Sequence, residues 1–272
     1  MYKRFRDGLL GPRDVLTYIG DKWYHVLLQL LLFVILMCIP FVINAFTKNP
    51  ITHDFESQVK NDLNGAVIPF HTENGVLVKN DGSEVEEFTY VYNSALKIRL
   101  SISGNTADLS DIEILITSDT VYYCFGGIRT KIGTFKDQFL ELANFDFSKL
   151  GSYNNTLEWD TLFSCINKNL KEFNKKMLPM SLIMNSVSNL IMILIFTLIM
   201  SGSFFIRFSR FLKFGALFKI SVYYITPLVV GDIVYNIFAM RIFLYIGVVL
   251  SMVYSIIGQN SLIKKIYSNG RE

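Results

Sequence analysis

Acidic residues are almost absent from the last third of this 272-residue chain. Between Glu172 and the terminal Glu272, the only one is Asp232. Two stretches, 26–46 and 179–206, contain no charged residue of either sign. Hydrophobic residues make up 51% of the chain, which is high for a soluble protein. These absences exclude an ordinary soluble fold for much of the sequence and indicate membrane-spanning helices.

Motifs for catalysis and metal binding are also missing. The chain has no G-x-S-x-G, no H-E-x-x-H and no phosphate-binding loop. Its three histidines, His25, His53 and His71, do not have the spacing of zinc ligands. We therefore expect no enzymatic activity, no cofactor and no metal centre. The net charge of only +3 gives no electrostatic footprint for nucleic acid, so we expect no such partner.

The uncharged run 26–46 predicts the first membrane-spanning helix. A cleaved signal peptide is the alternative, because basic residues precede the run. The run is longer than the apolar core of a signal peptide, and no small-x-small cleavage site follows it. Trp23 and Tyr24 stand at its start, where aromatic residues anchor spanning helices at the interface. We expect the helix to remain in the mature protein.

Charge is distributed unevenly along the chain. Residues 47–178 carry 13 Lys or Arg against 18 Asp or Glu, whereas residues 179–272 carry 8 against 2. Because Lys and Arg beside spanning helices stay in the cytoplasm, this pattern predicts cytoplasmic termini and an extracytoplasmic middle. We predict a multi-pass plasma-membrane protein, a four-helix transmembrane bundle in the lipid bilayer with an extracytoplasmic α+β domain between spans 1 and 2. The predicted order is a cytoplasmic N-terminus (1–25), span 1 (26–46), the extracytoplasmic domain (47–178), span 2 (179–206), a cytoplasmic loop (207–219), span 3 (220–240), span 4 (242–263) and a cytoplasmic tail (264–272).

Residues 1–25 alternate basic and aromatic side chains and are broken at Gly11-Pro12. This composition suits an amphipathic segment on the anionic cytoplasmic surface of the membrane. An ordinary positive-inside flank is the alternative.

Strand signals followed by helix signals indicate an α+β fold for residues 47–178. Asn74-Gly75 predicts a hairpin between strands at 66–70 and 76–79. Residues 96–103 alternate with period two, which predicts one buried and one wet face in an antiparallel sheet. The later helical pattern runs into span 2, with a break expected near Pro179.

Two cysteines and five aromatic residues of this domain are candidate functional residues. Cys124 and Cys165 form either a disulfide, which an oxidising compartment would preserve, or two free thiols. The aromatic residues form either a platform for a ligand such as a sugar or part of the core. These residues are Tyr90, Tyr92, Tyr122, Tyr123 and Trp159.

Asp232 is the candidate functional residue of the spans, because an ionisable group inside a spanning helix is a functional hypothesis by default. It could couple proton binding to a change in the bundle. Alternatively it pairs with Arg241 or with an asparagine of span 2, where Asn185 and Asn189 share one face. Small residues at spacing four in span 4 predict close helix contact: Gly247, Ser251 and Ser255.

Three short pieces of the sequence resemble a known family. They are the basic start with Gly11-Pro12, the segment 68–77 around Asn74-Gly75, and the segment 223–228 around Pro227. The chain resembles maltodextrin-utilisation membrane proteins, a multi-pass, Yip-like family of unknown function in low-GC Gram-positive bacteria. Residues 101–104 depart from the aspartate and small polar residues expected there. The resemblance implies a link to an ABC-type sugar importer and no enzymatic activity.

Two functions remain open from the sequence. The first is a non-enzymatic accessory or regulatory membrane protein whose outside domain binds a partner or an envelope ligand. Its partners would be ABC sugar importer subunits or another membrane complex. The second is a small transporter or channel that uses Asp232. Because four spans are few for a lone transporter, the second function requires a homo-oligomer.

Overall fold

A computed structural model describes residues 1–93, 96–104 and 112–269. The chain divides into two compact units. The helical unit comprises Met1–Thr47 and Met177–Glu272, and the sheet domain comprises Lys48–Lys176. The last three residues of the predicted cytoplasmic tail lie outside the described residues.

The four long apolar helices that the sequence predicts are present in the described chain. Their apolar segments are Trp23–Thr47, Thr156–Phe208, Phe214–Phe238 and Arg241–Ile266. Each is long enough to cross the roughly 30 Å hydrocarbon core, so the chain has the composition of a membrane protein. The helices are α1 (Tyr2–Leu10), α2 (Trp23–Thr47), α3 (His53–Asp62), α4 (Thr156–Phe208), α5 (Phe214–Tyr224), α6 (Thr226–Phe238) and α7 (Arg241–Asn269), with 3₁₀ turns at Asp14–Gly20, Leu140–Leu142 and Phe147–Gly151.

Two proline residues act differently from the sequence expectation. Helix α4 continues without interruption through Pro179, so the predicted break is wrong. The predicted single third span is instead divided at Ile225 into α5 and α6. Pro227 lies in the first turn of α6, where its missing N–H leaves no helical hydrogen bond unmade. Proline also disfavours helical geometry in the residue before it, which favours a helix boundary there.

Helices α6 and α7 are in close contact. A Cβ atom on Gly231 would lie 2.6 Å from the Phe243 carbonyl oxygen, and one on Gly247 would lie 2.8 Å from the Pro227 carbonyl oxygen. The Ser251 hydroxyl accepts a hydrogen bond from the Leu228 N–H at 3.0 Å. The small-residue repeat of span 4 therefore has the packing role that the sequence predicts.

The sheet domain contains a hairpin and a five-stranded sheet. Strands β1 (Phe70–Glu73) and β2 (Val76–Lys79) form the predicted hairpin, and Asn74 and Gly75 both have positive φ, at 51° and 75°. This geometry matches the two-residue turns that suit strand twist. The predicted first strand at 66–70 is placed too early. The larger sheet has the order β3 (Glu87–Tyr92), β4 (Leu96–Ser101), β5 (Ile112–Ile116), β6 (Thr120–Phe125) and β7 (Ile128–Thr134).

The larger sheet is not wholly antiparallel, because β4 and β5 run parallel. Parallel neighbours require a crossover connection of about a dozen residues, whereas a hairpin turn needs only two. The chain between Ser101 and Ile112 has this length, and residues 105–111 of it lie outside the described residues. The prediction of an antiparallel sheet therefore needs correction at this pair.

Helix α3 was not predicted from the sequence. Its N-terminus carries two recognisable signals. The Thr52 side chain accepts a hydrogen bond from the Phe55 N–H at 3.3 Å, and Asp54 and Glu56 occupy the first turn. Side-chain caps and acidic first-turn residues both stabilise helix N-termini. Helix α3 contributes to one apolar core with the sheet and the start of α4, whose fully buried members include Phe70, Leu77, Phe135, Phe139 and Trp159.

Candidate functional site

The two cysteines of the sheet domain are buried free thiols. Cys165 belongs to the main core of the domain. Tyr123, the residue before Cys124, packs against the same core. Because neighbouring strand residues point to opposite faces, Cys124 lies on the other face of the sheet. The disulfide alternative is therefore wrong, since the sheet separates the two sulfur atoms.

The five aromatic candidates do not form a ligand platform. Trp159 is 0% exposed, and its Nε1–H donates to the Ser152 carbonyl oxygen at 3.1 Å. Tyr90 is 9% exposed, and its hydroxyl donates to Asp62 Oδ2 at 2.7 Å. The rings of Tyr92 and Tyr123 pack against neighbouring phenylalanines, and Tyr122 points to the opposite face from Tyr123. The structure therefore supports the core interpretation for four of these residues, and Tyr122 lies on the face of the sheet away from that core.

The predicted wet face of β4 is only partly exposed. Arg99 is 12% exposed, and its Nε lies 2.8 Å from Oε1 of Glu113, which is 0% exposed. The pair is close, although its angles are not those of an aligned hydrogen bond. Burial raises the pKa of the Glu113 carboxyl, and the charge of Arg99 opposes this rise. Arg99 and Glu113 compensate each other's charge between β4 and β5. We therefore interpret this ion pair as structural.

A polar cleft lies beside the hairpin of the sheet domain. Its volume is about 410 Å³, within the range of small-ligand sites. An isolated backbone bridge between His71 and Asp146 joins its two sides. The side chains that line it are His71, Thr72, Asn80, Asp81, Asn144, Phe145 and Asp146.

Internal hydrogen bonds position the cleft residues. Nδ1 of His71 lies 2.6 Å from Oδ1 of Asn80. The Thr72 hydroxyl donates to the Leu142 carbonyl oxygen at 2.5 Å and accepts from the Phe145 N–H at 2.7 Å. These hydrogen bonds hold His71 and Thr72 of β1 in place, because each bonded atom has its partner inside the protein.

Asp232 is nearly buried in α6 and has no cationic partner within the described chain. Its Oδ2 accepts a hydrogen bond from Asn236 Nδ2 at 3.0 Å. The Asn236 carbonyl oxygen in turn accepts from Asn44 Nδ2 at 3.1 Å. Neither Arg241, which is exposed, nor an asparagine of α4 is its partner. A hydrogen-bonded chain of amides therefore links α6 to α2 at this position.

Asn185 and Asn189 contact a different residue, Cys38. Their Nδ2 atoms lie 3.7 Å and 3.9 Å from the Cys38 sulfur. The Ser186 hydroxyl lies 3.3 Å from the same sulfur. The structure thus divides the predicted intramembrane set in two, with the α4 asparagines beside α2 and Asp232 beside Asn236.

The N-terminal segment, defined as residues 1–22, is part of the helical unit rather than a free flank. Val15, Leu16 and Tyr18 are buried in the apolar core of the helical unit. Gly8 packs so closely on the broken third span that a Cβ atom there would lie 2.6 Å from the Tyr223 carbonyl oxygen. Neither sequence interpretation of this segment included this packing, and its cytoplasmic location stays a prediction.

Two carboxylates of the N-terminal segment accept hydrogen bonds from arginine and tyrosine side chains, and one of them, Asp21, is bonded to α5. Asp21 accepts two hydrogen bonds from Arg4, at 2.7 Å and 3.0 Å, and one from the Tyr223 hydroxyl at 2.8 Å. Asp7, which is 4% exposed, accepts from the Tyr18 hydroxyl at 2.6 Å and from Arg6 at 2.8 Å. The Tyr18 hydrogen bond, helped by Arg6, lowers the pKa of Asp7 despite its burial. Burial and the Asp7 hydrogen bond raise the pKa of Tyr18 to about 12.

Side chains from α5 and α7 complete the contact. Tyr224 donates to the Pro12 carbonyl oxygen at 2.9 Å, and Tyr254 donates to the Leu9 carbonyl oxygen at 2.9 Å. Lys219 Nζ donates to the Asp21 carbonyl oxygen at 2.5 Å. Every one of these partners is far away in sequence, so the site is a tertiary feature of the helical unit.

A family model described as "Protein of unknown function (DUF1189)" matches residues 2–258. The chain belongs to the DUF1189 family. Comparison with curated proteins gave no match, and comparison with solved structures gave none either. The DUF1189 match includes the N-terminal segment, the sheet domain and the apolar helices in one family unit. It carries no maltodextrin link and no activity.

Sequence reasoning about this DUF1189 member missed both the cleft and the fastening of the N-terminal segment. Signals for the cleft were present, because Asn80-Asp81 and Asn144 to Asp146 are dense in turn-forming polar residues. Only the fold brings these two segments together at one cleft. Tyr223, the partner of Asp21 on α5, lies 202 residues away and gave no local signal in a single sequence.

Proposed function

We propose that this chain is a non-enzymatic accessory or regulatory protein of the plasma membrane, with both termini cytoplasmic. Its sheet domain lies outside the cell and binds a partner or an envelope ligand. The apolar helices anchor it in the lipid bilayer. The maltodextrin resemblance suggests an ABC-type sugar importer as the partner, with another membrane complex as the wider class.

The polar cleft is the observation that carries this proposal. It occurs in a domain that has its own apolar core, and Phe145 of its lining belongs to that core. A concave site with several convergent polar groups is the default location for ligand recognition. The lack of any catalytic motif in the sequence supports binding rather than chemistry.

Site-specific photo-crosslinking in native membranes tests the proposal. A photoreactive residue replaces Asp81, which lines the cleft, and in a separate strain replaces Asp160, which is 75% exposed on α4. We expect discrete adducts from position 81 and not from position 160, with importer subunits among the proteins identified by mass spectrometry. Identical adduct patterns from both positions would contradict a binding role for the cleft. Adducts that lack importer subunits would remove only the maltodextrin link.

A small oligomeric transporter or channel is the second candidate. Asp232 favours it. A buried carboxylate without a cationic partner destabilises an apolar bundle, so its presence is a functional hypothesis by default. Purified protein in liposomes should then pass a substrate or protons, and Asp232→Asn should abolish that flux. Equal flux by the original protein and the Asp232→Asn variant would rule out this role.

A further inference from the structure

We propose that the cleft of the sheet domain binds an organic cation with several N–H donors, that is, a guanidinium or primary ammonium group. This inference rests on the proposed binding function and names the chemistry of its ligand. Such a group could belong to a free amine or to a basic side chain of a protein partner. The inference rests on the hydrogen-bond acceptors and donors of the cleft that have no partner among the described residues.

Three groups in the cleft are available as acceptors. When Nδ1 of His71 donates to Asn80 Oδ1, Nε2 of the neutral ring is an acceptor. Asp146 uses Oδ1 for the N–H and hydroxyl of Ser148, at 3.0 Å and 2.6 Å, and Oδ2 has no partner among the described residues. The Asp81 carboxylate has no partner there either. Acceptors in excess match a ligand that has donors only, as ammonium and guanidinium groups have.

Charge gives the same result. Two carboxylates line the cleft, and no Lys or Arg is among its described lining residues. An anionic ligand would therefore meet like charge without a compensating cation. A cation would gain charge-assisted hydrogen bonds, which are stronger than neutral ones.

A metal ion fits the cleft less well than an organic cation. The described residues contain no group of three or more His, Cys, Asp or Glu side chains that could hold a metal. Metal ligands must converge within about 2.5 Å of one point, even for calcium. A guanidinium group spreads its five N–H donors over a plane and can satisfy acceptors that lie farther apart.

The amide groups of the cleft add a second requirement. Asn144 uses Oδ1 to accept from the Asn74 N–H at 2.9 Å, which leaves its NH₂ group as a donor. The Asn80 NH₂ group is also left, because Oδ1 of Asn80 contacts His71. The best ligand therefore carries a neutral acceptor, such as an amide carbonyl, beside its cationic group. An arginine or lysine residue within a peptide has this combination.

Binding measurements on the full chain in nanodiscs test the proposal. The probes are argininamide, a short peptide with one central arginine, the matching peptide with glutamate, maltotriose and Ca²⁺. We expect saturable binding of argininamide or of the arginine peptide, and none of the glutamate peptide. Tight binding of the peptide with weak binding of argininamide would identify a protein partner as the source, and the reverse would identify a free amine.

Charge-neutral variants locate the site. Asp146→Asn and Asp81→Asn should each weaken binding about tenfold, which is the effect of losing a charge-assisted hydrogen bond. Asp160→Asn removes the same charge from an exposed position of the same domain and should leave the affinity unchanged. Equal affinity in all three variants would overturn the proposed site. Circular dichroism of each variant checks that the domain is folded.

The other probes separate this inference from the proposed function. Binding of maltotriose without either cationic probe would overturn the cation inference and leave the binding function standing. Binding of Ca²⁺ alone would also overturn it. Binding of no probe would overturn the cation inference, and the photo-crosslinking result would then decide the proposed function by itself.

Discussion

Asp21 joins the N-terminal segment to α5 through Tyr223, and Asp7 contacts Tyr18 and Arg6 within the segment. Each carboxylate accepts a tyrosine hydroxyl, from Tyr18 and Tyr223, and each has an arginine neighbour. Hydrogen bonds to a charged group contribute more than neutral ones. At the scale of single residues, these charged hydrogen bonds set the position of the N-terminal segment in the helical unit.

Removal of the Tyr18 hydroxyl tests the contact with Asp7. Tyr18→Phe keeps the ring and deletes a 2.6 Å hydrogen bond to a buried carboxylate. We expect a loss of about 1.5 kcal/mol of unfolding free energy, measured by thermal unfolding of detergent-solubilised protein. Tyr2→Phe is the matched control, because Tyr2 is 79% exposed on α1. The contact is unimportant if the two variants unfold at the same temperature.

The acid dependence of stability tests Asp21. Burial alone would raise its pKa, but the hydrogen bonds from Arg4 and Tyr223 outweigh burial and lower it. A lowered folded-state pKa means that the stabilisation is present near neutral pH and disappears as pH falls through that pKa. Asp21→Asn should therefore unfold at a lower temperature than the original protein at pH 7, by an amount that shrinks toward pH 3. A constant difference across this range would contradict the assigned ionisation.

Gln29 is expected to destabilise the helical unit. It is 0% exposed in α2, and neither atom of its amide has a hydrogen-bond partner within the described chain. A buried polar group without a partner costs about 1–3 kcal/mol. Gln29→Leu should therefore raise the unfolding temperature. A lowered temperature would show that the amide has a partner in the membrane-embedded protein.

At the scale of elements, composition predicted the existence of the apolar helices but not their interruptions. Runs without charge such as 26–46 need only length and hydropathy to be recognised as spans. The break predicted at Pro179 is absent, whereas the third span, predicted as one helix, is divided just before Pro227. The local context decides, since Pro227 occupies the first turn of a new helix, and Pro179 lies inside a 53-residue helix.

Strand pairing shows the same limit. The hairpin at Asn74-Gly75 was predictable because the turn chemistry is local. The parallel pairing of β4 with β5 was not, because it depends on the course of the chain between the two strands. Burial of Arg99 follows from that pairing, since the partner Glu113 comes from the neighbouring strand.

Packing of α6 on α7 can be tested by adding one methyl group. Gly247→Ala places a Cβ atom 2.8 Å from the Pro227 carbonyl oxygen, so the helices must move apart. We expect a loss of about 1–3 kcal/mol of unfolding free energy, as for other overpacked interiors. Gly202→Ala in α4 is the control, because its Cβ would meet nothing within 4 Å. The control should be neutral or slightly stabilising, because alanine favours helix over glycine. Equal effects of the two substitutions would contradict the close contact.

At the scale of the whole molecule, the sequence predicted four apolar helices and a sheet-containing region between the first and the second. Charge and hydropathy suffice for this architecture, because each is a property of a segment by itself. The cleft and the fastened N-terminal segment could not be predicted, because each joins residues from several elements. The function of a DUF1189 chain therefore has to be sought in its tertiary sites.

Membrane topology is the most direct test of the account, because the proposed role requires the sheet domain to face outward. A cysteine introduced at Ser83, between β2 and β3, should react with a membrane-impermeant maleimide added to intact cells. A cysteine at Ser209, just after α4, should react only after the membrane is permeabilised. The three natural cysteines are buried and should give little background. Labelling of Ser209→Cys in intact cells, with Ser83→Cys protected, would contradict the account.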